Sequence, residues 1–208
     1  MKKIIYLFLL IALAASGYAI FFYAPEEVTQ GIVQKIFYIH VPSAFAMYAT
    51  LITGAALGLG YLIRRDDALD QWAVSCMEVA LLFCTIVLTT GPIWAKPIWG
   101  AWWTWDARLT STFFLWLILI AYFLLRKAFT GTEAKRYSAI LALIGLLDVP
   151  IIMFAVKLWR GAHPSVLSAR EYLPSEMRQV FILCILTIQF LAWTLVIIRK
   201  SIEAKRRG

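Results

Sequence analysis

Six long apolar runs govern what this chain can fold into. A helix of about 20 apolar residues crosses the hydrocarbon core of a bilayer, and lipid offers the backbone no hydrogen-bond partners, so each run must be helical. Only 15% of the 208 residues are charged, against about a quarter in soluble domains. We therefore predict an all-α integral membrane protein, one domain over residues 1–208, with six transmembrane helices. The spans cover approximately residues 4–23, 41–63, 72–93, 109–125, 137–156 and 180–198.

Lysine and arginine are distributed unevenly between the two sides of these spans. Thirteen of the twenty lie at the termini or in the second and fourth loops, and seven lie on the other side. Because excess positive charge marks the cytoplasmic face, we predict that both termini are cytoplasmic. Residues 24–40, 94–108 and 157–179 then face outward. The net charge of +8 reflects this topology, and no nucleic-acid partner is expected.

The first run resembles a signal peptide at its start, where Lys2 and Lys3 precede an apolar stretch and several small residues. The apolar stretch nevertheless continues through Tyr23, which is longer than the apolar part of a typical signal. We predict an uncleaved span rather than a cleaved signal.

The chain has only two histidines, His40 and His163, and the predicted topology puts both on the outer side. Each lies just before a proline, Pro42 and Pro164. Proline is tolerated in the first turn of a helix, so we expect His40 at the outer mouth of the second span and His163 in the fifth loop. A lone histidine is usually an ordinary interfacial side chain, but neutral imidazole is also the commonest metal ligand. Their position beside a tryptophan-rich loop favours a pair of ligands.

The third loop contains the sequence "WGAWWTWDARLTS" over residues 99–111, and five of the nine tryptophans lie within twelve residues. An aromatic belt is one explanation, but a belt distributes its tryptophans over many helix ends. At 100° per residue, part of the segment would form one face of an amphipathic helix lying in the interface. The residues on that predicted face are Trp99, Trp102, Trp103, Asp106 and Thr110.

A flat aromatic surface with imidazoles and cations nearby suits haem. Aromatic faces can cover its macrocycle, and its iron takes axial histidine. The two propionates would attract Lys96, Arg160 or Arg170, with Arg108 a further cation inside the segment. A site open to the interface would release its ligand again, which indicates handling of haem rather than permanent electron transfer.

The tryptophan-rich segment resembles the WWD signature of the haem-handling superfamily of cytochrome c biogenesis. The pattern W-G-x-W-W-x-W-D-x-R-L-T is matched at every fixed position by residues 99–110, inside a WWD segment that covers residues 94–111. The stretches "FYIHVPSAFAMY" and "DVPIIMFAVKLWRGAHPS" look like the two histidine-bearing segments of the maturation protein C branch. The choice of branch depends on length, because the F-type and system II relatives are larger.

The resemblance implies a function and a set of site residues. Proteins of this branch hold b-type haem non-covalently at the outer, periplasmic face of the bacterial inner membrane. They pass it to a membrane-anchored haem chaperone, maturation protein E, working with small membrane protein D and ABC-type transporter subunits A and B. Carried over, the axial iron ligands are His40 and His163. The aromatic platform is Trp99, Trp102, Trp103 and Trp105, with Asp106.

Three functions remain open at this point. The first is a haem-binding assembly factor with no chemical step of its own, and therefore not an enzyme. The second is a permease for haem or another small solute. The third is a haem lyase, for which Asp106 is the obvious acid–base candidate. Absorption spectra of the purified protein would separate the first two.

Two carboxylic acids fall inside predicted spans, Glu78 in the third and Asp148 in the fifth. Ionisable groups in a membrane are costly and usually face the bundle interior or a polar cavity. A polar path through the bundle is one interpretation. We favour a structural carboxyl, because one acid per helix does not make a relay. Pro150, two residues after Asp148, predicts a kink in the fifth span.

Overall fold

The computed structural model describes residues 2–159 and 173–207. Within those ranges it contains no strand, and six helices are long and apolar enough to cross a membrane. The prediction of an all-α, six-span membrane protein is therefore confirmed. The helices are α1 Lys2–Tyr18, α2 Phe37–Arg64, α3 Asp67–Trp99, α4 Ala107–Ala128, α5 Gly131–Trp159 and α6 Ser175–Arg207, with a π-helix at Ala19–Tyr23 and a 3₁₀ helix at Ile32–Ile36.

Most helices are longer than the apolar runs that predict them. The third run, 72–93, lies inside α3, which begins at Asp67 because the Asp66 carboxylate accepts a hydrogen bond from the Ala68 amide at 2.8 Å. An apolar run marks only the part of a helix that lies in the hydrocarbon core of the bilayer. Capping residues determine where the helix begins and ends. The helix α5 continues through Pro150 without interruption.

The helix α2 is central to the bundle and packs against α3, α5 and α6. Its contact with α3 is close because Gly54 has no side chain. A Cβ atom at this position would lie 3.0 Å from Met77 Cε and 3.1 Å from Cys76 Cβ. Small residues let helix backbones approach each other in membranes, where packing rather than water drives association. The main core lies between α2, α3, α4, α5 and α6 and includes Met47, Leu51, Met77, Phe83, Leu115, Leu119, Ile152 and Val196.

Ion pairs join the helices at one end of the bundle, which we call the basic end. Arg126 makes two hydrogen bonds to the buried Asp70 carboxylate, at 2.7 and 2.8 Å. Glu78 is paired with Arg199 at this end and is partly exposed. Glu78 is therefore engaged in an ion pair between α3 and α6. Asp148, in contrast, has a buried Oδ2 atom with no hydrogen-bond partner among the described residues.

The first helix lies at the edge of the bundle. It packs mainly along α6, where Ser16 Oγ donates a hydrogen bond to Thr187 Oγ1 at 2.9 Å. At the opposite end from the ion pairs, the π-helix joins the start of α2 and the start of α6 in a second apolar cluster. Its members include Ile20, Phe37, Tyr38, Val180 and Phe181.

Candidate functional site

Three parts of the chain meet at the end opposite the basic end, which we call the His40 end. They are the connection at residues 24–36, the first turn of α2 and the last turns of α3. Two side-chain hydrogen bonds join these parts: His40 of α2 bonds to Thr90 of α3 at 2.9 Å, and Trp94 of α3 bonds to Gln30 of the connection at 2.9 Å. The tryptophan-rich segment continues from the end of α3 at this same end.

His40 lies in the first turn of α2 rather than in a loop. The 3₁₀ helix Ile32–Ile36 continues directly into α2, because Ile36 and Phe37 both have helical backbone angles. The helix therefore begins five residues before Pro42, which lies inside α2 and not in its first turn as predicted. Proline supplies no amide proton to the carbonyl one turn back, so this position interrupts the hydrogen-bond ladder next to His40.

The His40 imidazole is 6% exposed and is confined on several sides. Its Nδ1 atom lies 2.9 Å from Thr90 Oγ1. The Trp94 ring meets it edge to face, with centroids 5.7 Å apart and planes at 69°. Gly91 lies beneath the ring, where a Cβ atom would come within 3.3 Å of His40 Cε1. The orientation of this imidazole is therefore determined by the last turns of α3.

A turn at residues 27–31 supports Trp94 in turn. The Glu27 carboxylate accepts hydrogen bonds from the Thr29 hydroxyl at 2.6 Å, the Thr29 amide at 2.9 Å and the Gln30 amide at 2.5 Å. These bonds, that of the Thr29 hydroxyl first, hold the pKa of Glu27 below its usual value. The ordered Gln30 then accepts a hydrogen bond from Trp94 Nε1. The turn thus connects to His40 through Trp94.

The tryptophan-rich segment is not one continuous helix, because residues 100–106 are not helical, and the predicted amphipathic helix is wrong. The helix α3 ends at Trp99 because Gly100 adopts a left-handed conformation with φ of 75°. Lys96 Nζ donates to the Gly100 carbonyl at 2.8 Å and stabilises this end. A new helix starts only at Ala107. A shared helical face requires one continuous helix, so the predicted stripe from Trp99 to Thr110 does not exist.

The tryptophans of the segment have different surroundings. Trp102 and Trp105 are 58% and 75% exposed. Trp103 turns inward and meets Trp105 and Phe113 edge to face, at centroid distances of 5.8 and 6.4 Å. Its Nε1 atom is buried and has no hydrogen-bond partner among the described residues. Trp99 is half-buried at the end of α3. The structure therefore presents two exposed indole rings supported by a third.

Asp106 has a local structural role. Its Oδ1 atom accepts hydrogen bonds from the amides of Arg108 and Leu109, both at 3.0 Å, and its Oδ2 atom accepts one from Thr104 Oγ1 at 3.0 Å. These bonds form the N-cap of α4 and close the segment on itself. Arg108 is half-buried, and its guanidinium lies beside the Tyr48 hydroxyl of α2.

Of the residues that the sequence predicts for the site, the structure brings the aromatic segment and His40 to one end of the bundle. His163, Arg160 and Arg170 lie outside the described residues. Sequence reasoning missed Thr90, Gln30 and the role of Trp94. Thr90 and Trp94 are four residues apart and so share one face of a helix, which is the signal that could have paired them.

The chain is similar along its whole length to one family of known proteins. The chain matches a family model described as "Heme exporter protein C" over residues 1–208. It is 32% identical over 184 residues to heme exporter protein C of Bradyrhizobium diazoefficiens, covering 88% of this chain and 69% of that protein. It is 34% identical over 184 residues to heme exporter protein C of Escherichia coli, covering 86% and 74%. A putative cytochrome c biosynthesis ccmC-like mitochondrial protein of Marchantia polymorpha is 34% identical over 147 residues, covering 70% and 62%.

Proposed function

The chain belongs to the heme exporter protein C family, and from this premise we propose that it binds haem for the biogenesis of c-type cytochromes. The names of its relatives refer to haem export and cytochrome c biosynthesis. The six apolar helices support a multi-pass membrane location. We assign the protein to a bacterial inner membrane with both termini cytoplasmic and the haem site facing the periplasm.

The observation that carries the proposal is the arrangement of His40 and the tryptophan-rich segment at one end of the bundle. Thr90, which contacts His40, is nine residues before Trp99 on the same helix, and that spacing corresponds to roughly 14 Å along α3. The tryptophan-rich segment therefore begins within roughly 14 Å, along α3, of the residue that contacts His40, and we propose that the imidazole and the exposed indole rings act on one flat ligand. The buried Nε1 atom of Trp103, which has no hydrogen-bond partner among residues 2–159 and 173–207, offers a further hydrogen-bond donor.

We assign roles to the residues as follows. The haem iron takes His40 and His163 as axial ligands, and the macrocycle, held non-covalently, lies on Trp102 and Trp105 with Trp99 and Trp103 beside them. The propionates pair with cations at the His40 end, drawn from Lys96, Arg108, Arg160 and Arg170. The Asp106 carboxylate is occupied as the cap of α4, so in this proposal it shapes the segment.

Haem in this protein is cargo. The indole rings of Trp102 and Trp105 are exposed, so one edge of a bound macrocycle would remain accessible to a second protein. We propose that the chain delivers haem to a membrane-anchored chaperone, maturation protein E, together with small membrane protein D and ABC-type transporter subunits A and B. No chemical step by this chain is required, and we do not propose a lyase activity.

A permease is the second candidate, and one observation favours it. The buried Asp148 Oδ2 atom has no hydrogen-bond partner among the described residues, and it lies within α5 close to Pro150. Buried ionisable groups in transmembrane helices often mark a transport path. A haem-free protein that moves haem into vesicles would support this candidate.

The test is the absorption spectrum of the purified protein and its variants. We expect a Soret band that survives purification, which His40→Ala and His163→Ala each shift and added imidazole restores. Lys127→Ala, at the exposed basic end of α4, is the control and should leave the spectrum unchanged. If neither histidine variant alters the spectrum, the axial-ligand assignment fails. If the protein retains no haem but transports it, the permease replaces the binding proposal.

A further inference from the structure

We propose that Thr90 is a positioning residue for the haem ligand. Its hydroxyl oxygen accepts the Nδ1 proton of His40 and so makes Nε2 the nitrogen that binds iron. This inference rests on the proposed function, because it concerns the same imidazole. It assigns a role to a residue of α3 that does not itself touch the ligand.

The direction of the hydrogen bond follows from counting protons. A threonine hydroxyl has one proton to donate. Thr90 Oγ1 lies 2.7 Å from the Ile86 carbonyl oxygen, one turn earlier in α3, and a carbonyl can only accept. The hydroxyl proton is therefore engaged with Ile86. The lone pairs of Thr90 Oγ1 remain for His40 Nδ1, which lies 2.9 Å away.

The tautomer of His40 follows from the same bond. Neutral imidazole has one N–H group and one nitrogen with a free electron pair. If Nδ1 donates to Thr90, the proton is on Nδ1 and the electron pair is on Nε2. The bond made by one ring nitrogen generally decides which nitrogen binds a metal. Thr90 thus prepares His40 for ligation through Nε2.

The orientation of the ring depends on the same turn of α3. Thr90 and Trp94 are one helical turn apart, and both contact the His40 ring, by the hydrogen bond and by the edge-to-face contact. Gly91, between them, leaves the space that the ring occupies. Because a single rigid helix supplies all three contacts, the imidazole keeps one direction. Groups that orient a metal ligand in this way commonly alter metal affinity by about 10-fold to 100-fold.

A hydroxyl acceptor also suits a protein that must release its ligand. A carboxylate in this place would draw the Nδ1 proton strongly and make the imidazole a stronger donor to iron. A neutral hydroxyl draws the Nδ1 proton less strongly, so it increases electron donation from the imidazole to iron only moderately. Thr90 therefore gives His40 a fixed tautomer without the tight binding of a permanent haem site.

The test compares variants of the full-length protein, purified in detergent and titrated with haem. Thr90→Val removes the acceptor at nearly the same shape, and Thr90→Ser restores it. Thr89→Val is the matched control, because Thr89 makes the same kind of bond to a backbone carbonyl one turn earlier, at 2.9 Å from Thr85 O, but is exposed. We expect Thr90→Val to weaken haem affinity by about 10-fold or more, with Thr90→Ser and Thr89→Val close to the unaltered protein.

The reduction potential gives a readout that a merely structural role would not change. Donation of the Nδ1 proton makes His40 a better electron donor and stabilises ferric iron, so its loss in Thr90→Val should raise the midpoint potential. In a His40→Ala protein without added imidazole, Thr90→Val should not weaken the remaining haem binding further. Haem is counted per folded molecule, and Thr90→Ala replaces Thr90→Val if the valine variant does not fold.

The outcomes separate this inference from the function on which it rests. If His40→Ala abolishes binding while Thr90→Val leaves affinity and potential unchanged, Thr90 has no positioning role and the haem proposal stands. If the effect of Thr90→Val persists in the His40→Ala protein, Thr90 acts by another route and the inference is also overturned. If His40→Ala itself has no effect, the ligand assignment fails first.

Discussion

At the scale of the residue, the tryptophans of the third loop are not equivalent. Trp102 and Trp105 expose most of their surface, whereas Trp103 packs edge to face between Trp105 and Phe113. The loop itself is held by Gly100, which ends α3, and by Asp106, which starts α4. The residue type alone predicts the same role, a place in the aromatic platform, for all of these tryptophans. Their surroundings differ: two of the rings are exposed and, in the proposed function, contact the ligand, whereas the third packs inside the loop.

Alanine substitution should separate these roles. We expect Trp102→Ala and Trp105→Ala to lower haem per folded molecule with little change in stability, since exposed rings make few internal contacts. Trp103→Ala should lower the free energy of unfolding by up to about 3 kcal/mol, because it removes a packed aromatic ring. Haem absorbance and thermal unfolding in detergent measure the two effects.

Trp193→Ala provides the comparison within a span, since Trp193 packs against the main core in α6. It should lower stability and leave haem per folded molecule unchanged. Equal haem loss in all four variants, or loss that only follows expression level, would mean that the segment is a dense interfacial anchor.

At the scale of the element, the connection between α1 and α2 is an ordered support for the site. The Glu27 carboxylate gathers three hydrogen bonds from Thr29 and Gln30, and Gln30 holds Trp94. Trp94 in turn contacts His40. A short polar turn outside the apolar runs is therefore connected to His40, the predicted iron ligand, through the side chains of Gln30 and Trp94.

The stability of this turn should depend on pH in a definite direction. Hydrogen bonding lowers the folded-state pKa of Glu27 from its ordinary value of 4.5. A lowered carboxyl pKa contributes stability above the ordinary value, and that stability is lost as the pH falls through the folded-state pKa. We expect faster amide exchange at Thr29 and Gln30 below about pH 4.5, after correction for intrinsic rates, measured by hydrogen exchange with mass spectrometry.

The variant Glu27→Gln provides the control for this effect. It removes the ionisable group, so its exchange at residues 27–31 should be faster at neutral pH and nearly independent of pH. Glu26→Gln, next to it in the sequence and exposed, should behave like the unaltered protein. A pH dependence that survives in Glu27→Gln would assign it to another group.

At the scale of the whole molecule, the bundle has two chemically different ends. The basic end contains ion pairs between helices, among them Arg126 with Asp70 and Lys135 with Asp67. The His40 end contains aromatic rings, hydrogen bonds between neutral side chains such as Trp94 and Gln30, and carboxylates that accept hydrogen bonds from nearby amides and hydroxyls, those of Glu27 and Asp106. A membrane-spanning protein exposes one end to each of two aqueous compartments. A bundle whose helices pack closely in the middle and carry chemically different side chains at their two ends suits such a protein.

Reporter fusions test which end faces which compartment. We expect fusions after Arg65, Trp99, Lys135 and Arg170 to alternate cytoplasmic, outer, cytoplasmic and outer, because basic residues are retained on the cytoplasmic side. A fusion at the first residues of the chain should report the cytoplasm. Any other order would remove the common outer surface that His40, His163 and the tryptophan-rich segment need in order to act together.

The sequence by itself determined the architecture and the family. Six apolar runs are sufficient to predict six helices, because a bilayer leaves the backbone no other choice. The WWD signature is a local pattern, so it could be read without any knowledge of packing. His40 could be singled out for the same reason, and its role as an axial ligand stays a prediction.

Only the tertiary structure decided how the site is built. His40 and Thr90 are 50 positions apart in the sequence, and their contact depends on the register in which α2 packs against α3, which no local pattern encodes. The helical periodicity of the tryptophan-rich segment was misleading because the conformation of one residue, Gly100, breaks the helix. Spacing along a chain predicts neighbours only while the backbone stays regular. Beyond that point, the packing of whole helices decides which side chains meet.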